Sequence, residues 1–258
     1  MIRKPCQLSD RAVIAVSGPE AISFLQGLVT NDVTKLTQPL YAAMLSPQGK
    51  ILFDFLMSAQ GETVLIDVQK DQRAALAKRL SMYKLRAKVE IATRDDLIVI
   101  ADEGPDDPRL ATLGQRSIVP AGIETVDGAS AYHEWRFGLG VPEAADFGSE
   151  KVFAMDGGLD ELNAISFTKG CYVGQELTAR MKHRGTDRKR ILPFNGPEIE
   201  LEIGAAIVSG GVEIGTVMSS YGDAGFALIR LDRLAEASEP LTAAGAKITI
   251  TKPEWLFT

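Results

Sequence analysis

The pattern of apolar residues changes near Arg190, and this change constrains the fold more than any other feature of the chain. Before it, short β-rich runs alternate with helical stretches in the order strand, helix, strands, helix, strands. After it, runs such as AAIVSGGVEIGTVMSS and KITITK are separated by glycine-bearing turns, with no helix longer than a turn or two. The first pattern predicts an α+β fold with mostly antiparallel sheets, and the second predicts a small sandwich or barrel.

The same change predicts two domains. We place the boundary near Thr186–Asp187, so that residues 1-186 form the α+β region and residues 187-258 the small β-domain. A chain of 258 residues with 45% hydrophobic and 24% charged residues is typical of a soluble globular protein with a sizeable core. No run approaches ~18 consecutive apolar residues, so the sequence predicts no membrane partner.

Cysteine usage bears on the cellular compartment. Cys6 and Cys171 are the two cysteines, and two cysteines cannot build a disulfide framework, which favours a reducing cytosol. The N-terminal stretch MIRKPCQLSDRAVIAVSG has too short an apolar part for a signal peptide, and it lacks the Arg/Ser-rich character of a transit peptide. We therefore predict a cytoplasmic protein.

The net charge of −6 argues against general nucleic-acid binding, and we predict no direct DNA binding. The charge is unevenly distributed, however. Between Lys169 and Arg190, seven Lys or Arg residues stand against two acids. This segment is either a solvated basic face or a site for an anionic partner.

The basic segment contains the most unusual motif of the chain, which reads Lys169-Gly170-Cys171-Tyr172-Val173-Gly174-Gln175-Glu176 and is followed by Arg180. Gly170 and Gly174 allow positive φ or a close backbone approach, and we expect a helix to begin after Gly174. A thiol close to an ammonium and to a helix N-terminus is where a lowered pKa is expected. The other interpretation is a buried structural cysteine, since free cysteine is among the most buried residue types.

A second candidate residue, Asp54, lies in a predicted hairpin. The runs Tyr41–Ser46 and Ile51–Ser58 flank the turn Pro47-Gln48-Gly49-Lys50, which is typical of two antiparallel strands. Asp54 interrupts the apolar run ILFDFLM, where a charge is costly unless it is paired or used. It is either an edge residue that faces water or a functional carboxylate.

Two further polar residues, His133 and Arg136, fall in a helix predicted over Ala131–Leu139. Arg136 either braces the fold or clamps a flat anionic ligand. His133 lacks metal-ligating partners, so we interpret it as solvated or hydrogen-bonded. Without CxxC or HxxxH spacing we predict no stably bound metal, and one motif cysteine cannot hold a cluster alone. Cys171 is then a transient ligand, a nucleophile, or one of several ligands shared between chains.

The run from Ile165 to Glu176, with Arg180 following, resembles the signature of the YgfZ family. FLQGLVTNDVTKL, SPQGKILFDF and WRFGLGVPE follow the expected order, so the resemblance covers the whole chain. It implies two ferredoxin-like subdomains and a small C-terminal β-barrel. Their arrangement is that of the glycine-cleavage aminomethyltransferase, GcvT, around a central channel that accepts a reduced folate.

The resemblance also implies a function: a folate-binding accessory protein for iron–sulfur cluster assembly or repair, with client enzymes that include tRNA-modifying ones. Cys171 is then the functional thiol, and Asp54 with Arg136 forms part of a tetrahydrofolate pocket. Asp54 matches the strand-borne aspartate that in the aminomethyltransferase contacts the folate and the transferred carbon. The second aspartate of that enzyme is replaced by Phe53, and its Gly-Tyr-Thr-Gly-Glu segment has no counterpart between residues 101 and 131.

The alternative function is a tetrahydrofolate-dependent aminomethyltransferase or demethylase, with Asp54 as the catalytic carboxylate. The sequence leaves open whether the chain is an enzyme.

Overall fold

The structure is a computed structural model, and it describes residues 5–184, 189–196 and 200–256. The helices of this part are α1 (Ala21–Gln26), α2 (Arg73–Lys84), α3 (Ala129–Gly138), α4 (Gln175–Arg184) and α5 (Leu231–Ala235). The strands before residue 128 are β1 (Cys6–Gln7), β2 (Arg11–Ser17), β3 (Leu40–Leu45), β4 (Ile51–Gln60), β5 (Thr63–Gln69), β6 (Glu90–Arg94), β7 (Leu97–Asp106), β8 (Gln115–Pro120) and β9 (Val126–Asp127). The later strands are β10 (Lys189–Asn195), β11 (Ala206–Ser209), β12 (Val212–Tyr221), β13 (Ala224–Arg230), β14 (Thr242–Ala243), β15 (Ala246–Lys247) and β16 (Thr249–Ile250).

The first sheet has five antiparallel strands in the order β3-β4-β5-β2-β6. The predicted hairpin is its β3–β4 pair, in which Asp54 lies opposite Ala43. Because β4 has a neighbour on both sides, Asp54 lies on an internal strand and the interpretation as an edge residue is wrong. On one face, α1 and α2 bury Leu25, Leu76 and Leu80 against the strands.

The second sheet has four strands in the order β8-β7-β1-β9, and only its short β1–β9 contact is parallel. It packs on the first sheet through a small apolar cluster in which Val13 and Leu65 meet Leu97 and Val99. Helix α3 adds Tyr132 to this cluster. The prediction of an α+β region with mostly antiparallel sheets is therefore confirmed.

The third sheet contains the seven strands β15-β14-β11-β12-β13-β10-β16, all paired antiparallel. It corresponds to the predicted C-terminal β-domain. The predicted boundary at Thr186–Asp187 falls in residues 185–188, outside the described residues, and stays a prediction. One apolar cluster joins this sheet to the first region, since Phe194 and Phe226 belong to the same core as Tyr41 and Ile51.

The packing of the three sheets leaves an interior region that contains charged side chains as well as apolar ones, and the candidate site is built around it. The described helices include none that is both long and apolar enough to pass through a bilayer.

Candidate functional site

Cys171 is an exposed, free thiol at the surface of the α+β region. It lies four residues before the first residue of α4, so the predicted helix after Gly174 is confirmed. The interpretation as a buried structural cysteine does not apply. Cys6, the other cysteine, is partly buried in β1.

Lys169 anchors the segment that carries the thiol. Its ammonium donates hydrogen bonds to the carbonyl oxygens of Val29 at 2.6 Å and Asn31 at 2.7 Å. It also lies 5.1 Å from the centre of the Tyr172 ring. Burial lowers the pKa of Lys169 to about 8, although the charge of Asp32 acts in the opposite direction. The ammonium therefore ties the motif to the loop after α1.

Gly174 fixes the other end of the cysteine segment. Its φ is +85°, and an added Cβ would lie 2.6 Å from the carbonyl oxygen of Ser46 and 3.2 Å from Cα of Gly49. The motif is thereby pressed against the turn of the hairpin that carries Asp54. Gly170 differs, because its φ is not positive and a Cβ there would meet no atom within 4 Å. The expected need for glycine holds at Gly174 and fails at Gly170.

The remaining motif residues shape the start of α4. Tyr172 is buried, which raises its pKa to about 12, and its main-chain N–H donates to the side chain of Gln175. Glu176 and Arg180 form an exposed ion pair one helical turn apart, at 2.9 Å. These contacts order the helix and leave Cys171 at the surface.

The cations counted between Lys169 and Arg190 do not form one surface. Lys169 and Arg190 are buried, and Arg188 lies outside the described residues. Lys182 is exposed, pairs with Asp160 at 2.9 Å and lies 5.3 Å from the ring centre of the exposed Phe167. Among the described side chains of the segment, the predicted anionic-partner site is therefore reduced to the exposed cations Arg180, Lys182 and Lys189.

Asp54 has the opposite environment to Cys171. Its side chain accepts hydrogen bonds from the Tyr41 hydroxyl at 3.0 Å and the main-chain N–H of Ala144 at 2.8 Å, and the residue is 2% exposed. Burial raises the pKa of Asp54, and the charge of Glu143 raises it further, against the opposing effect of Arg11. Asp54 is thus a buried carboxyl whose pKa is raised by its surroundings.

Next to Asp54 lies a cluster of buried ions that we call the charged core. It consists of four arginines and four acids, which are Arg11, Arg109, Arg116, Arg136, Asp67, Asp107, Glu143 and Asp146. Arg109 bonds Glu143 at 2.6 Å and Asp107 at 2.7 Å, while Asp67 bonds Arg11 and Arg116, each at 2.7 Å. The four arginines and the four acids of this set are equal in number.

Glu143 is central to the charged core. Burial alone would raise its pKa, but Arg136, Arg109 and Arg11 together hold the pKa well below its usual range. Its Oε2 accepts from Arg109. Its Oε1 is buried and has no hydrogen-bond partner among the described residues, although Arg136 Nε lies 3.2 Å away.

Arg136 connects the charged core to the barrel. Its guanidinium donates to Asp146 at 2.8 Å and to the Val141 carbonyl at 2.9 Å. The other oxygen of Asp146 accepts from Ser219 and Tyr221 on β12. His133 accepts from Arg136 Nε and contacts Asp10, which confirms the hydrogen-bonded histidine.

Arg136 also lines two adjoining clefts, of about 430 and 310 Å³. They share Ser130, His133, Arg136 and Tyr221, and the smaller one also reaches Glu143 and Ala144. We call them the Arg136 cleft. Its size is that of a small-molecule site. Asp54 does not line it, since Ala144 lies between them.

A pterin ring would need a hydrogen-bond acceptor and an aromatic face from the Arg136 cleft. A pterin carries N–H donors on one edge, and the unpartnered Glu143 Oε1 is a buried acceptor on the cleft wall. Tyr221 offers a half-exposed aromatic face at the rim. The described residues contain no group of three or more His, Cys, Asp or Glu side chains placed to hold a metal ion.

Comparison with known proteins places the chain in a family. Residues 188–258 match the family model described as "CAF17, C-terminal beta-barrel domain". The iron–sulfur cluster assembly factor IBA57 of Mus musculus is 31% identical, over 96% of this chain and 84% of that protein. Its homologue from Pyricularia oryzae is 33% identical, over 93% and 75%. The chain belongs to the IBA57 family of iron–sulfur cluster assembly factors.

A solved structure agrees on the fold. The glycine cleavage system aminomethyltransferase T of Bartonella henselae superposes with a TM-score of 0.73 over 98% of this chain and 87% of that one, at 15% identity. The predicted GcvT-like fold with a C-terminal β-barrel is therefore confirmed. The relatives are named for IBA57, so the prediction holds at the level of an iron–sulfur assembly family, and the narrower YgfZ assignment stays a prediction.

The predicted cytoplasmic location is wrong. The relatives of the IBA57 family, including the human protein at 28% identity, are named as mitochondrial. Unpaired cysteines indicate a reducing compartment, and such a compartment need not be the cytosol. Cysteine usage therefore could not distinguish the cytosol from another reducing compartment.

Proposed function

We propose that this protein supports the assembly or repair of iron–sulfur clusters through the thiol of Cys171. The observation that carries the proposal is an exposed cysteine on a segment fixed at both ends, by the Lys169 hydrogen bonds on one side and by the Gly174 contact on the other. A thiol that is already held in one position can bind a partner without a further loss of conformational entropy in its segment.

The chemistry of such a site is ligand exchange on a cluster that is cargo. A thiolate is the usual ligand of iron in these clusters, and a stable site needs about four of them. Cys171 supplies one, so the others belong to an iron–sulfur client protein. Gly170 leaves space for a client protein beside the thiol, because it has no side chain and its surroundings are open. By the narrower YgfZ resemblance, the clients include tRNA-modifying enzymes.

A reduced folate is the second part of the proposal, and we place its pterin in the Arg136 cleft. Glu143 Oε1 would accept N–H bonds from the ring, Arg136 would fix the orientation of Glu143, and Tyr221 would cover the ring. Asp54 would act from behind Ala144 by holding that main-chain N–H. A loaded folate carries a one-carbon unit. The contacts proposed here would bind the folate, and we assign no step of one-carbon transfer to them.

The thiol is tested in cells that lack this protein, with iron–sulfur enzyme activity as the readout. Cys171→Ser should abolish the support, while Cys6→Ser, the matched control at the other cysteine, should retain it. Full activity with Cys171→Ser at equal protein levels would contradict the proposal.

The folate is tested by calorimetric titration with tetrahydrofolate. Tyr221→Ala should weaken binding about tenfold or more, because the variant removes one aromatic wall of the cleft. Trp135→Ala is the control. Trp135 lies on α3 and is about as exposed as Tyr221, but it lines neither part of the cleft. Product analysis completes the test: release of a one-carbon product would favour the transferase alternative over an accessory protein.

A further inference from the structure

Helix α2 and the turn that follows it form the most basic surface stretch of this acidic protein. Residues 73–88 carry six Lys or Arg side chains and no Asp or Glu, in a chain of net charge −6. We call this stretch the basic tip. Arg73 pairs with Asp95, but no described acidic side chain forms an ion pair with Lys78, Arg79, Lys84, Arg86 or Lys88.

Two large apolar side chains project from the basic tip. Leu85 is 88% exposed and Met82 is 64% exposed, the highest values among the large apolar residues that the structure describes. The inner face of α2 is already occupied, because Leu76 and Leu80 are fully buried in the core. Leu85 and Met82 therefore contribute little to the folded core.

Leu85 also sits in a backbone conformation that suits glycine. Its φ is +44° and its ψ is −104°, close to the first central position of a type II′ turn. A bulky residue in this region is strained. Folding stability therefore does not explain a leucine here.

The shape of the basic tip limits the kinds of partner that can bind it. The main clefts of the described part of the chain are lined by residues outside 73–89. The tip thus presents an apolar knob, Leu85 and Met82, among side-chain cations, and one carboxylate, that of Glu20, accepts from the main-chain N–H of Lys88. A bilayer with anionic headgroups offers a soft, uniformly negative surface that accepts such a knob without a preformed groove.

We propose that the basic tip docks this protein on an anionic lipid surface. Leu85 and Met82 would enter the headgroup region, and Lys78, Arg86 and Lys88 would lie beside lipid phosphates. This revises our expectation that no membrane is a partner, which rested on the lack of a spanning segment alone. The proposal does not depend on the role of Cys171 or on folate.

The test is co-sedimentation of the full chain with vesicles of phosphatidylcholine, with and without phosphatidylglycerol. The protein should sediment with the anionic vesicles at low salt and stay in the supernatant at high salt. It should not sediment with the neutral vesicles. Lys78→Glu/Arg86→Glu should weaken binding by roughly thirtyfold or more. Lys151→Glu/Lys247→Glu, which changes the net charge equally at two exposed lysines elsewhere, should bind as the wild type does.

Leu85→Gly separates binding from folding. It should not lower the thermal midpoint, because glycine tolerates the turn, yet it should weaken vesicle binding about fivefold or more. Ile203→Ser, at an exposed apolar residue of the barrel region, is the control.

Failure of the wild type to sediment with anionic vesicles, or equal binding to neutral ones, would overturn the proposal. If vesicles fail but Lys78→Glu/Arg86→Glu loses iron–sulfur support in cells, the tip serves an acidic protein instead.

Discussion

The cysteine segment, which contacts the turn of the Asp54 hairpin, and the charged core have opposite environments. Cys171 is exposed, and its segment is held by the Lys169 ammonium on two main-chain carbonyl oxygens and by the close approach of Gly174 to the hairpin turn. Glu143 and Asp54 are buried and are held by side-chain charges and hydrogen bonds that connect the sheets. Function at Cys171 should therefore be separable from stability, whereas at the charged core the two should change together.

The largest effect is expected at Glu143. Glu143→Ala leaves Arg109 and Arg136 buried without their shared carboxylate, and loss of one partner of a buried ion pair costs about 3–5 kcal/mol. Urea unfolding should show this loss. Glu134→Ala, at an exposed acid on the same helix as Arg136, should change stability by less than about 0.5 kcal/mol. Equal free energies of unfolding for Glu143→Ala and Glu134→Ala would contradict the role of the charged core in stability.

The two glycines of the motif give the next effect. Gly174→Ala places a Cβ 2.6 Å from the Ser46 carbonyl at positive φ, so we expect a loss of about 2–4 kcal/mol. Gly170→Ala is its matched control, since a methyl group there meets open space. Thermal unfolding should separate the pair. Similar midpoints would mean that the motif does not dock on the hairpin.

Lys169 should give a smaller, pH-dependent effect. Its pKa of about 8 in the folded protein lies below the ordinary value of 10.5, so the unfolded chain binds more protons between these pH values. Stability should therefore rise with pH from 8 to 10.5, by on the order of 1 kcal/mol. Lys169→Met should lack this rise in urea unfolding. Parallel pH curves for wild type and variant would contradict the buried ammonium.

The sequence predicted the elements that depend on local pattern. Strand alternation and the Pro/Gly turn located the hairpin, and the glycine-punctuated runs after Arg190 located the barrel strands. The motif located a cysteine before a helix, and the sequence leaves its exposure open between a reactive thiol and a buried one. Asp54 was recognised as unusual because a charge inside an apolar run must be paired or used.

The charged core could not be predicted, because its members come from distant parts of the chain. Arg11 on β2 and Asp67 on β5 are diagonal neighbours on paired strands, joined by their side chains, and Glu143 follows a helix. Asp107 lies in a stretch whose Gly and Pro content is typical of a surface loop, yet it is buried against Arg109. Only the packing of the sheets brings these charges together.

The most direct test of the separation between the two regions is the alkylation rate of each cysteine in the folded protein, followed by mass spectrometry. The account predicts that Cys171 reacts at neutral pH at least as fast as a free cysteine, and that Cys6 reacts more slowly. It also predicts the same Cys171 rate in the Glu134→Ala control. Slow alkylation of Cys171, at or below the rate of Cys6, would contradict the account.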